Sequence, residues 1–140
     1  MERLTIKELA PYLPYGLKIR NILGKGSIWT LTRFNIEQFS DDDKPLLRPL
    51  SQLTEEIEHN GKEFTPMLEL EKIRKNIEVY RPLNLHYPIE ITIQTEDYSQ
   101  EIDLHDGYLI MQKLLEWHFD VFGLTDRCLA LPIDRREVRS

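Results

Sequence analysis

Glu116, His118 and Asp120 are three side chains able to bind protons or metals. They fall within the segment Leu114-Leu115-Glu116-Trp117-His118-Phe119-Asp120-Val121-Phe122-Gly123-Leu124. A divalent metal needs ligands that converge, as two histidines four apart on one helix face do. Apolar spacing predicts a helix over 107–121, and on a helix a step of two turns a side chain through about 200°. His118 then faces away from the Glu116/Asp120 pair. It joins Met111, Leu115 and Phe122 in a stripe beside Ile110, Leu114, Trp117 and Val121, the pattern of a core histidine. No metal or cofactor is expected.

Asp103, His105 and Asp106 stand just ahead of the same helix. In an extended chain Asp103 and His105 share a side, and a carboxylate beside an imidazole can orient it as a general base. That is the chemistry of a small metal-dependent hydrolase or nuclease, and these three are the candidate catalytic residues. The competing reading makes Asp106 the helix N-cap and Asp103 a solvated acid. No Ser or Cys is spaced to join them as a nucleophile, so the competing reading is preferred.

Other local patterns carry less chemistry. Gly24-Lys25-Gly26-Ser27 superficially resembles a phosphate loop, but its glycines are too close and the following segment reads as a strand. A hairpin turn explains it. Asp41-Asp42-Asp43 lacks the spacing and terminal Glu of a calcium loop and reads as an exposed acidic loop running through Lys44-Pro45. Cys128 has no CxxC partner, which leaves structural zinc and redox work unsupported. Tyr12, Tyr15, Trp29, Phe34, Tyr80 and Tyr87 can stack nucleobases or form a protein-binding patch. Of these, Tyr12, Tyr15, Trp29 and Phe34 are the candidate interaction surface.

Charge weighs between those two uses. The chain has 140 residues, 24 acids against 18 Lys and Arg, and a formal charge of −6. Such a surface repels phosphates unless a basic patch forms. The basic clusters Lys72/Arg74/Lys75 and Arg135/Arg136/Arg139 are short and interrupted by acids, so nucleic-acid binding is disfavoured. The single cysteine fits a reducing cytoplasm. No apolar run is long enough to span a bilayer, and no secretory signal is read.

The elements that position these residues follow from periodicity. A short helix covers 4–9, with Thr5 as cap and Pro11 and Pro14 as stops. Alternation predicts a β-hairpin over 17–36. Ser51 caps a short helix over 52–58, and Asn60-Gly61 either ends that helix or turns tightly into Phe64. Leu68, Leu70, Ile73, Ile77 and Tyr80 predict a helix over 67–79. Ile89, Ile91 and Ile93 predict a half-buried strand over 88–95, which Ile102 and Leu104 can continue. Leu124 to Ile133 holds a turn or short strand, and 134–140 is a frayed tail. The expected architecture is a single α+β domain. An N-terminal hairpin and at least one more strand form a small antiparallel sheet, packed against two principal helices.

Three blocks resemble a known group: Leu9-Ala10-Pro11-Tyr12-Leu13-Pro14-Tyr15-Gly16-Leu17-Lys18, Leu47-Arg48-Pro49-Leu50-Ser51, and the Leu114–Leu124 segment. They are similar to small proteins, without an assigned activity, from Bacteroides-type bacteria and their phages. The resemblance implies a phage or mobile-element setting and transfers no catalytic residue. The expectation is a non-enzymatic protein-binding or adaptor module. The alternatives are the hydrolase or nuclease built on His105, and a nucleic-acid binder using the hairpin aromatics.

Overall fold

The computed structural model describes residues 4–23, 26–73, 77–80, 89–94, 99–101 and 104–133. Asp103, Gly24, Lys25, Arg74, Lys75, Tyr87 and the 134–140 tail lie outside them.

The chain opens on α1 (Ile6–Leu9), whose Thr5 backbone N–H donates to the Glu8 carboxylate at 3.2 Å. Pro11 and Pro14 cannot sustain α-helical hydrogen bonding. The chain tightens into a 3-10 turn over Ala10–Tyr15, ended by Gly16 at φ +65°. This compact start drives Leu9 and Tyr12 into the core.

The N-terminal hairpin is present. Strands β1 (Lys18–Asn21) and β2 (Ile28–Thr30) pair antiparallel, with Ile19 opposite Trp29. It is shorter than 17–36. Beyond β2 the Asn35 side chain accepts the Thr32 N–H at 2.7 Å, turning the chain out of the sheet. The acidic segment at 41–45 is also not all loop. Strand β3 (Asp43–Leu47) pairs antiparallel with β1, and Asp43 is buried. Its carboxylate accepts from Asn21, Trp29 and Ser40, and these bonds hold its pKa below the usual carboxylate value against the opposing effect of burial.

The expected helix over 52–58 is replaced by a 3-10 turn at Leu50–Thr54 and by strand β4 (Ile57–His59). Asn60 and Gly61, at φ +52° and +80°, then make the tight turn into β5 (Lys62–Phe64). Two successive positive φ values match the right-handed twist of a hairpin, which is why Asn-Gly belongs there. Helix α2 (Pro66–Glu71) is short, and the second half of the helix expected at 67–79 is strand β6 (Ile77–Tyr80). Pairing with β7 (Glu90–Gln94) outweighs the helical spacing, and β8 (Ser99–Glu101) completes that three-stranded sheet.

Helix α3 runs over Leu104–Glu116, starting and ending earlier than 107–121. Asp106 is therefore within its first turn and is not its cap. Past Glu116 the backbone turns sharply, with His118 at φ +62°. The Trp-His-Phe segment is thus an irregular turn, not the helix expected there. Arg48 clamps it: its N–H donates to the His118 carbonyl at 2.7 Å, and its carbonyl accepts the Asp120 N–H at 2.9 Å. Strand β9 (Leu131–Pro132) finally lies parallel to β3, Leu46 beside Leu131.

The first sheet therefore has the order β2-β1-β3-β9, antiparallel except for its last pair. The fold is α+β, with α3 the one long helix among the described residues. Tyr12, Ile19, Leu47, Leu70, Ile110, Leu114, Phe119 and Leu124 belong to one buried cluster between sheet and helix.

Candidate functional site

Arg48 follows the last residue of β3, and its side chain is 1% exposed. Long charged side chains are rarely buried unless paired with an opposite charge. Here two backbone carbonyls do part of that work. Nε donates to the Trp117 carbonyl at 3.1 Å, and Nη2 to the Glu58 carbonyl at 2.8 Å. Nη1 has no hydrogen-bond partner among the described residues. Burial alone lowers the guanidinium pKa to about 10.

Two histidines complete the group. Nη2 of Arg48 reaches His59 Nδ1 at 3.4 Å, and the His59 and His118 rings meet edge to face with centroids 4.9 Å apart. His118 Nε2–H donates to the Tyr15 carbonyl at 2.8 Å. His59 reaches the site on β4, just before the Asn-Gly turn. His118 reaches it through the left-handed turn after α3.

Both imidazoles are held neutral. Burial first, then the Arg48 charge, lowers the His59 pKa to about 4 against the opposing pull of Glu116. Burial likewise lowers His118 to about 4; its bond to Tyr15 opposes this, and the charges of Arg48 and Lys18 add to it.

These groups line a cleft of about 170 Å³, whose rim carries Lys18, Thr30 and Asn60. Lys18 Nζ donates to Thr30 Oγ1 at 2.8 Å. No acid is among the cleft's lining residues. A pocket walled by a guanidinium, an ammonium and two imidazoles can receive negative charge. Its imidazoles stay neutral at pH 7, and no Ser or Cys is among the lining residues.

Of the candidates named from sequence, His105 and Asp106 lie on helical backbone in the first turn of α3, and Asp103 lies outside the described residues. Glu116 pairs with Lys113 at 3.3 Å. Asp120 is buried and accepts the N–H groups of Leu124 and Thr125, which makes it a loop organiser. His118 is indeed buried, though the left-handed turn puts it there and not a helical stripe. Among the described residues no three His, Cys, Asp or Glu side chains are grouped to hold a metal ion.

Of the four proposed surface aromatics, Tyr12 is a correction. It is fully buried, its hydroxyl donating to the Phe119 carbonyl and accepting the Val121 N–H at 3.3 Å. Burial pushes its pKa up. Tyr15 is half-buried beside the cleft, and Trp29 is half-buried against the core. Phe34 is 83% exposed, with the Arg33 guanidinium 4.8 Å above its ring.

Further exposed apolar side chains lie on the β1–β2 hairpin. Ile22, Leu23 and Ile28 are 50%, 57% and 49% exposed at its turn end. Sequence reasoning passed over both features. Alternation had marked 17–36 as hairpin, and a turn rich in Gly and Ser hid the aliphatics on either side of it. No signal in the Leu-Arg-Pro-Leu run marks Arg48 as buried.

Among the described residues no helix is long and apolar enough to cross a membrane. Comparison with protein-family models, curated proteins and solved structures finds no match for this chain.

Proposed function

We propose that this chain is a non-enzymatic, cytoplasmic protein-binding module of phage or mobile-element type, with the β1–β2 turn as its docking element. The aliphatic end of that hairpin carries the reading. Ile22, Leu23 and Ile28 keep about half of their surface in water, although the core has room for every other large aliphatic of β1 to β3. Apolar surface left in water is stabilised by being covered. The residues that flank the turn are held in place: Asn21 N–H donates to the Ser27 carbonyl at 3.0 Å, and Ile22 N–H to the Asp42 carbonyl at 2.8 Å. A pre-ordered element loses little entropy on docking.

The formal charge of −6 argues for a protein partner with an apolar groove and a basic rim, and against nucleic acid. The likeness of three sequence blocks to small proteins of Bacteroides-type bacteria and their phages supports a partner from such a host or its phage.

The test compares wild type with the I22S/L23S/I28S variant as affinity baits in a Bacteroides-type lysate. Wild type should retain a stoichiometric protein that the variant loses, with matching thermal midpoints. Retention of the same proteins by both would defeat the reading.

A further inference from the structure

A guanidinium buried without a counter-ion is costly, because two carbonyl dipoles do not neutralise a full charge. Arg48 makes no ion pair with any described residue, and its Nη1 hydrogens have no acceptor among them. The surrounding cleft adds Lys18 and two imidazoles and contributes no acid. The nearest opposing charge, Glu116, acts on His59 from beside Lys113, with which it is already paired. In a chain of net charge −6, a cleft of purely basic and neutral lining is a local inversion of sign.

We propose that this cleft is a binding site for a single small oxyanion, a phosphate or carboxylate group, held by Lys18 Nζ and the Arg48 guanidinium. About 170 Å³ holds several waters' worth of space, at roughly 30 Å³ each, and so admits a phosphate-sized group. Lys18 uses one of its three N–H donors on Thr30 and has others for a ligand. Hydrogen bonds between ionised partners are the strong ones, and a planar guanidinium edge suits an oxyanion. A bound anion also offsets the Arg48 charge that adds to burial in holding His59 and His118 neutral, so the imidazoles report on occupancy.

The experiment titrates inorganic phosphate into the full chain at pH 7 and constant ionic strength, with acetate as the carboxylate arm and chloride as control. Phosphate or acetate, and not chloride, should raise the thermal midpoint saturably and shift the His59 and His118 imidazole resonances. Whichever arm is tighter identifies the ligand class. Lys18→Ala, at a half-buried rim position, should keep the fold and weaken that affinity about tenfold. Arg48→Lys should weaken it further if it folds, and the Lys18 variant decides the matter if it does not. Resonances that ignore both anions, or a Lys18→Ala protein that binds like wild type, would overturn the proposal.

Discussion

The rings of His59 and His118 pack edge to face at 84°, their centroids 4.9 Å apart, although the residues come from a β-hairpin and a post-helical turn distant in sequence. Both are 9% exposed or less, and the buried Arg48 guanidinium stands beside them. This contact joins the first sheet, the second hairpin and the end of α3 at one point.

Acid should dissolve that junction. Both imidazoles have a folded pKa of about 4, below the ordinary 6.5. Between those values the unfolded chain binds more protons, so the stabilisation is complete above pH 6.5 and is lost as pH falls toward 4. The loss is on the order of 3 kcal/mol for each imidazole. Urea midpoints measured from pH 7 to pH 4 should fall across this window, and His59→Asn should flatten the slope.

Tyr12 ties the N-terminal turn to the Trp-His-Phe segment through one hydroxyl. Tyr12→Phe keeps the ring and removes the hydroxyl that bridges the Phe119 carbonyl and the Val121 N–H, which still bond to each other at 2.9 Å. The expected cost is about 0.5–1.5 kcal/mol, read by chemical denaturation. A near-neutral result would mean that water replaces the hydroxyl.

Trp117 is 6% exposed and packs on Phe64, centroids 5.1 Å apart. Trp117→Ala should cost about 3–5 kcal/mol, enough to threaten folding at 37 °C. Calorimetry or circular dichroism melting gives the value. A smaller cost would show that β5 collapses onto the vacated space.

Gly61 isolates a backbone effect. At φ +80°, nothing lies within 4 Å of an added Cβ, so Gly61→Ala meets strain and no clash. It should destabilise by about 1–2 kcal/mol. Gly61→Asn should cost less, because Asn tolerates the left-handed region.

What the sequence made legible was the local grammar. Alternation in Ile89-Glu90-Ile91-Thr92-Ile93 is realised as β7, and Asn60-Gly61 turns a hairpin as the positive φ of that pair requires. What stayed hidden depended on distant partners. Ile73, Ile77 and Tyr80 suit a helix, yet Ile77-Glu78-Val79-Tyr80 also alternates, and the β7 strand decides between them. His118 adopts a conformation disfavoured for non-glycine residues as the residue that ends α3, with Phe119 N–H on the Leu114 carbonyl at 2.9 Å and His118 N–H on the Leu115 carbonyl at 3.0 Å, and Arg48 clamps it there. Arg48 and Asp43 are charged residues at inward positions, so hydropathy assigns both to water. The candidate cleft was therefore invisible: each of its four basic groups comes from a different element.

The parallel contact of Leu46 with Leu131, backed by the Ile133 N–H on the Leu47 carbonyl at 2.8 Å, also sets an order of events in synthesis. A hairpin such as β4–β5 can close as soon as it leaves the ribosome. The outer edge of β3 cannot, because its partner is among the last described residues to be made. Until then, Leu46 and Leu47 present an open hydrogen-bonding edge beside bare aliphatic surface, the situation in which nascent chains pair wrongly. A nascent chain stalled before Leu131 should therefore depend on chaperone shelter in a way the finished chain does not.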